Sequence, residues 1–290
     1  MLSVVLGSVV PVQEQLGLDF GAPPRKLVRV TPAKLATWAD CPRRFRMAYV
    51  DRPSPGRGGP WAHSAMGAAV HNALKALFDL PPAQRSPDRS VALLNRAWKS
   101  DGFQDAEQSW RYRDRAAGWV RDYVETLDTT IDPIGVERWV SAPTGTIVAE
   151  GRVDRIDLRG DELVIVDYKT GKHALSTDDA RGSQALALYA VAARRTLRKP
   201  CARVELHHLP TGSVAVWEHT EESIGRHVAR AEEAADDIVL AESTLAAGAD
   251  RDEVYPPRVG RQCSWCDFRR HCPEGQEAAP TLEPWALLAP

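Results

Sequence analysis

Apolar and polar positions along the chain follow two periods, one close to 3.6 residues and one of two, which predict helices and strands respectively. The first helix is expected to begin with Thr31 as its cap and Pro32 at its first position. The predicted helices cover 31–50, 62–79, 90–100, 108–129, 178–196 and 221–247. The predicted strands cover 134–141, 144–157, 162–169, 203–209 and 213–219. One helix falls between the third and fourth strands, which predicts an α/β core with a mixed sheet flanked by helices.

The order of these elements predicts one main domain over 31–275 of the 290 residues. Its first part, 31–130, is mainly helical; 131–220 forms the sheet core; and 221–275 holds a long helix and a cysteine-rich loop. An N-terminal segment, 1–30, precedes this domain, and we expect residues 1–10 to form a strand or a loose terminus. Residues 276–290 are predicted to form a tail.

Composition narrows the function less than the pattern does. A hydrophobic fraction of 43% and a charged fraction of 26% are typical of a soluble globular protein. With a net charge of −2, contacts with nucleic acid would depend on local arginine clusters, each of which is more often a solvated surface. The apolar N-terminal stretch is too short to span a membrane, so we expect a cytoplasmic location. The chain has no P-loop motif and therefore no motor of that kind.

Two stretches fit together as a candidate active site. Asp154 lies in the first, Gly151–Asp157, and the second is an apolar run that ends in Asp167, Tyr168 and Lys169. Residues i and i+2 of a strand point to the same side, so Asp167 and Lys169 would project together. A hairpin turn at Gly160-Asp161 would bring Asp154 near Asp167. Two carboxylates and a lysine suit a hard divalent cation and an activated water, although Asp and Lys are also common at strand ends.

Four of the five cysteines indicate a metal centre. Cys263, Cys266 and Cys272 have the spacing Cys-x2-Cys-x5-Cys, and Cys41 is the natural fourth ligand. Cys201 is interpreted as an ordinary core thiol. An odd number of cysteines and an expected reducing compartment argue against a disulfide framework. Four thiolates suit both zinc and an iron–sulfur cluster, and their spacing leaves this choice open. Either centre would close a long loop and act as a staple.

Two helical features are weaker signals. Gly67 and His71 are four residues apart on one helix face, and His71 is either a ligand or an ordinary helix histidine. Gln184 lies on an otherwise apolar helix face, and its position is equally compatible with a surface residue.

In combination, these motifs resemble the RecB-type nucleases of the PD-(D/E)xK superfamily, and more closely their iron–sulfur branch, which includes the AddB nuclease domain and the CRISPR-associated adaptation nucleases. The family usually has Gln-x3-Tyr after the lysine, whereas Gln184 and Tyr189 here form Gln-x4-Tyr, so Tyr189 is left out of the predicted site. The matching elements, in family order, are Cys41–Phe45, Gly67–His71, Gly151–Asp157, Asp167–Gly171 and Cys263–Cys272.

The resemblance implies a restriction-endonuclease-like core and a role for each site residue. His71, Asp154, Asp167 and the Tyr168 carbonyl would bind Mg²⁺ or Mn²⁺. Asp154, Asp167, Lys169 and Gln184 would form the catalytic set. Lys169 would orient water or stabilise the transition state, and Gln184 would help to position Lys169 or the nucleophile. Cys41, Cys263, Cys266 and Cys272 would bind a [4Fe–4S] cluster.

The implied function is a metal-dependent DNA nuclease, expected to act as an exonuclease on single-stranded DNA or DNA ends in repair, recombination or defence. DNA is the expected partner, with a helicase or another repair or defence protein as a further one. The alternative is a non-catalytic DNA-binding or assembly subunit of a helicase–nuclease complex that retains the fold and the cluster. The presence of Asp154, Asp167 and Lys169 argues against that alternative.

Overall fold

The computed structural model of the chain describes residues 27–288. The segment 1–10, predicted to be a strand or a loose terminus, lies outside the described residues. The strands are β1 (Val28–Val30), β2 (Gly135–Pro143), β3 (Ile147–Arg159), β4 (Glu162–Lys169), β5 (Arg203–His208) and β6 (Ser213–Glu218). The helices are α1 (Pro32–Asp40), α2 (Pro42–Phe45), α3 (Ala62–Phe78), α4 (Pro87–Ala97), α5 (Ala106–Glu125), α6 (Thr177–Gly182), α7 (Gln184–Leu197), α8 (Glu221–Ala246), α9 (Arg251–Val254) and α10 (Pro273–Ala278).

The sheet is mixed, as predicted. Its main path is β1-β3-β4-β5-β6, and β2 pairs with β3. β1 runs parallel to β3 and β4 parallel to β5, while the β2–β3, β3–β4 and β5–β6 pairs are antiparallel. The predicted hairpin between β3 and β4 is present, with Gly160 at φ 62°, a left-handed conformation that glycine adopts without steric cost.

Helices cover both faces of the sheet. Val164, Val166 and Tyr168 of β4 pack against α3 and α5, and Leu163 and Ile165 of the same strand pack against α7 on the other face. A third group of buried side chains joins β1 and β3 to α1, α7 and α8. Alternate residues of β4 are therefore buried against two different layers of helices, one on each face of the sheet.

Two predicted helices are each interrupted. The helix expected over 31–50 breaks at Cys41, which is extended (φ −168°, ψ 115°), because the ring of Pro42 disfavours helical geometry in the residue before it. The chain then continues through α2 into a π-helical turn, Arg46–Val50. The helix expected over 178–196 breaks at Ser183, whose hydroxyl accepts a hydrogen bond from the Leu186 N–H and caps α7.

The sequence pattern also missed structure at both ends of the chain. β1 has three residues, too few for a period of two to be visible, and it pairs in parallel with Ile147–Ala149. The segment predicted as a tail contributes to the fold up to residue 288. Its Leu288 is buried and its Trp285 packs on the α3–α5 core, while the Ala62 N–H donates to the Pro284 carbonyl. Among the described residues, no helix combines the length and the apolar character needed to cross a bilayer.

Candidate metal-dependent active site

The candidate site lies where β3 and β4 separate. Their ladder runs from Arg159↔Glu162 to Arg155↔Val166 and goes no further. One residue beyond it, Asp154 stands opposite Asp167, and Asp154 Oδ2 accepts a hydrogen bond from the Tyr168 N–H (2.8 Å). The Asp154 carboxylate therefore continues the hydrogen bonding between β3 and β4 beyond the last backbone pair.

Lys169 and Asp167 form the closest pair at the site. Lys169 Nζ lies 2.5 Å from Asp167 Oδ2, as expected for neighbours of period two on one face of a strand. Burial raises the pKa of Asp167, an effect that Lys169 opposes and the negative charge of Asp154 reinforces. The ammonium thus partly compensates two carboxylates that are held close together away from water.

His71 reaches this strand end from α3. Its Nδ1 lies 3.3 Å from Asp154 Oδ1. One turn earlier, Gly67 faces Thr170, and a Cβ at Gly67 would lie 3.2 Å from Thr170 Oγ1. The spacing of Gly67 and His71 is therefore explained by close helix approach, since the glycine lets α3 come near enough for the imidazole to reach the carboxylates.

Glu137 of β2 completes the group and was missed by the sequence prediction. Its Oε1 lies 3.8 Å from His71 Nδ1, and its Oε2 lies 2.7 Å from Arg152 Nε. The residue has a φ of 48°, a left-handed conformation that is uncommon outside glycine and is held here by the surrounding contacts. The β2–β3 register places Glu137 opposite Asp154, but no pattern along β2 alone marks it.

These side chains could hold a divalent cation. His71, Glu137 and Asp154 each offer a ligand atom, and those atoms all lie within 4.8 Å of one another. Burial alone would lower the pKa of His71, but hydrogen bonds to Asp154 and Glu137 and the charges of Asp154 and Asp167 raise it to about 10. The same negative surroundings that retain a proton favour a cation, and carboxylate oxygens with one imidazole suit Mg²⁺ or Mn²⁺.

Three further residues remain: Tyr168 and Gln184, which were predicted to belong to the site, and Tyr189, which was left out of it. The Tyr168 side chain is buried on the other face against Arg155 (3.3 Å), which leaves its backbone carbonyl as the only group it could offer a metal. The Gln184 amide is directed to α8, where Nε2 donates to the His227 carbonyl (3.4 Å). Tyr189, left out of the prediction, lies at the site: burial raises its pKa to about 12, and the charges of Asp167 and Asp154 contribute.

Four of the cysteines line one small cavity. Cys41 at the start of α2 meets Cys263, Cys266 and Cys272, and the Arg258 N–H donates to Cys41 Sγ (3.3 Å). The remaining thiol, Cys201, is buried in the core beneath α7, and burial raises its pKa to about 12. Among the described residues, no three cysteine sulfurs lie within 4.8 Å of one another. The cavity thus gathers the four predicted thiol ligands and leaves Cys201 out.

Comparison with known proteins identifies the class. The family model of the PD-(D/E)XK nuclease superfamily matches residues 29–273. The chain therefore belongs to this superfamily, whose members are nucleases that use divalent metals, and its mixed sheet flanked by helices is the predicted restriction-endonuclease-like fold. A solved structure described as "Crystal structure of SSO0001" is 13% identical, covers 87% of this chain and 88% of that chain, and has a TM-score of 0.36. No curated protein matches the chain.

Proposed function

We propose that the chain is a Mg²⁺- or Mn²⁺-dependent deoxyribonuclease of the RecB type. The observation that carries this proposal is the grouping of His71, Asp154, Asp167 and Lys169 at one strand end, with a carboxylate–ammonium distance of 2.5 Å. Membership of the nuclease superfamily supports the reaction class. The retained lysine favours a working nuclease over a DNA-binding subunit that lacks catalysis.

Each residue has a role that its position allows. His71, Asp154 and Glu137, whose ligand atoms lie within 4.8 Å of one another, would hold the metal. Asp167, which lies outside that close group, and the Tyr168 carbonyl are proposed as further ligands. When bound, the metal ion lowers the pKa of water and stabilises charge that develops on the phosphate. Lys169 would orient the attacking water or donate to the phosphate oxygens in the transition state. As the water oxygen bonds to phosphorus, the bond from phosphorus to one ester oxygen breaks; the water gives up a proton to solvent, and the leaving oxygen takes one up. Gln184 enters only if its amide turns away from α8, so its predicted role is the least supported.

The expected substrate is DNA with unpaired or free ends, cleaved as an exonuclease in repair, recombination or defence. The superfamily supports DNA as the partner, and a helicase is a further proposed partner that would supply unwound strands. The cytoplasmic location is part of the same proposal.

The experiment incubates the pure chain with end-labelled single- and double-stranded DNA, with chelator or with added Mn²⁺. Cleavage that requires the metal supports the proposal. In His71→Ala, loss of a ligand should weaken Mn²⁺ binding, so calorimetry should give about a tenfold higher Kd and raised Mn²⁺ should partly restore the rate. Metal-independent cleavage, or a variant with unchanged Mn²⁺ dependence, would contradict the metal site.

We also propose that Cys41, Cys263, Cys266 and Cys272 bind one [4Fe–4S] cluster with a structural role. Their convergence on one cavity supports a shared metal centre, and the choice of iron–sulfur over zinc rests on the resemblance to the iron–sulfur branch. Buried Arg43, beside Cys41, pairs with Glu274 (2.6 Å), beside Cys272, so a salt bridge joins the same two segments. The centre would therefore fasten the C-terminal loop to the start of α2.

Anaerobically purified protein should be brown and contain roughly four irons per chain. Cys266→Ser should lose the colour and lower the Tm, because the loop loses its anchor. Cys201→Ser is the matched control and should stay brown. A colourless anaerobic preparation with one zinc per chain would contradict the iron–sulfur cluster, although zinc would still cross-link Cys41 to the C-terminal loop.

A further inference from the structure

Trp139 presents an open aromatic surface beside the candidate active site. The residue is 55% exposed on β2, which pairs only with β3 among the described strands and so forms an edge. Its cross-strand partner is Arg152, and directly opposed residues of an antiparallel pair project to the same face. Arg152 Nε in turn contacts Glu137 Oε2 (2.7 Å). Along the β2–β3 ladder, a single pair, Arg138 and Val153, therefore separates Trp139 and Arg152 from the candidate metal ligands Glu137 and Asp154.

The chemistry of this pair suits an unpaired nucleotide. An exposed aromatic ring stacks on any base that has a free face, and such stacking contributes about 1 to 3 kcal/mol per base. The Arg152 side chain is 66% exposed, so its guanidinium can reach a neighbouring phosphate while it stays beside Glu137. Bases inside a duplex are already stacked on each other, and they offer no free face to Trp139.

We propose that Trp139 and Arg152 form a platform that stacks one unpaired base of the DNA next to the phosphate to be cleaved. This inference rests on the proposed nuclease function and specifies its substrate as single-stranded DNA or a frayed end. The platform also gives the edge strand β2 a role in selecting the substrate, separate from that of the metal ligands.

The test measures DNA binding in the Lys169→Ala background, so that cleavage does not interfere. Trp139→Ala should weaken binding of a labelled oligothymidine by about 5- to 100-fold, and Trp139→Phe should keep most of the affinity. Trp110→Ala is the matched control, because Trp110 is 56% exposed on α5, and it should bind like the parent. A covalently closed duplex circle, which has no terminal base pair, should bind all these variants equally within about twofold. An oligonucleotide that is abasic at every position should bind parent and Trp139→Ala alike, since it keeps its phosphates and has no bases to stack.

The outcomes separate the two levels of the proposal. If Trp139→Ala binds oligothymidine as Trp110→Ala does, or loses duplex and single-strand binding equally, the platform is wrong even if the parent chain cleaves DNA. If the parent chain neither binds nor cleaves any DNA, the nuclease proposal fails and the platform fails with it. Circular dichroism spectra that match the parent exclude loss of folding as the cause.

Discussion

At the scale of single residues, Gly151 shows how closely the site is packed. A Cβ at this position would lie 2.6 Å from Cε1 of Tyr189 and 3.4 Å from Pro32 Cδ. Gly151→Ala should therefore push α7 or β3 aside and lower the free energy of unfolding by about 1 to 3 kcal/mol. Urea denaturation measures this loss.

A second substitution tests the cause of that loss. Tyr189→Ala in the Gly151→Ala background should recover part of the stability, because it removes the colliding ring. Gly118→Ala in α5 is the control, since a Cβ there meets nothing within 4 Å. It should be neutral or stabilising by up to about 1 kcal/mol. If Gly151→Ala and Gly118→Ala lose equal free energies of unfolding, contact with Tyr189 is not the reason for the loss.

His219 should make stability depend on pH. Burial, together with nearby His227, lowers its pKa to about 4 from the ordinary 6.5. Between these values the unfolded chain takes up a proton that the folded chain refuses, so stability is lost as the pH falls from 6.5 towards 4. Between pH 7.5 and pH 5, His219→Gln should lose about 1 kcal/mol less stability than the parent in urea unfolding. His173→Gln, at an exposed histidine, should lose as much as the parent, and a His219→Gln loss equal to the parent's would contradict the account.

The sequence pattern predicts some residues of the candidate site and misses others for a physical reason. Asp154, Asp167 and Lys169 are visible because strand periodicity and a two-residue turn fix their relative positions within about 15 residues. Glu137 depends on which strand pairs with β3 and on a left-handed backbone conformation, and neither is encoded in a local pattern. Tyr189 depends on the angle at which α7 crosses β3, and helix crossing is set by tertiary packing.

At the scale of elements, Arg85 holds the ends of two helices together. Its buried guanidinium donates to the carbonyl of Phe78, the last residue of α3 (3.0 Å), and to the Leu80 carbonyl just after it (2.8 Å). It also donates to the Thr129 carbonyl (3.1 Å), beyond the end of α5. It also contacts Asp132 (2.5 Å). Carbonyls at helix ends lack partners within the helix, and a planar donor with five N–H groups satisfies several at once.

Arg85→Lys should therefore cost about 2 to 4 kcal/mol of stability, because an ammonium cannot reach the same set of acceptors. Chemical denaturation checks this value. Arg89→Lys, at an exposed position on α4, provides the comparison and should change stability by less than about 0.5 kcal/mol. If the two variants are equally stable, the Arg85 contacts contribute little.

The pattern located long and short elements alike. The ranges of α3, α8, β4, β5 and β6 agree with the predicted ones within one residue, because each of these elements shows its period without interruption. The breaks at Cys41 and Ser183 were missed because helical spacing continues across both, and only the proline and the capping serine stop the helix. β1 was missed because three residues carry no period.

At the scale of the whole molecule, the C-terminal part of the described chain packs against earlier parts at two places. Trp285 and Leu288 close the helical core around α3 and α5, and the cysteine cavity joins Cys41 to the 263–272 loop. The cysteine contact could be predicted from the cysteine spacing. The contact of Trp285 and Leu288 could not, because the apolar residues near the C-terminus show no helical or strand period. The superfamily match over 29–273 spans the cysteine contact but ends before the Trp285 contact.

The central claim is that Asp154, Asp167 and Lys169 form a metal-dependent site that cleaves DNA, and Lys169→Ala tests it most directly. Single-turnover cleavage of end-labelled single-stranded DNA in Mn²⁺ should fall by at least about 100-fold in this variant, with DNA binding and folding close to those of the parent. Lys172→Ala, three residues later at an exposed position, should cleave at the parental rate. A Lys169→Ala variant that cleaves as fast as Lys172→Ala would show that the catalytic site lies elsewhere.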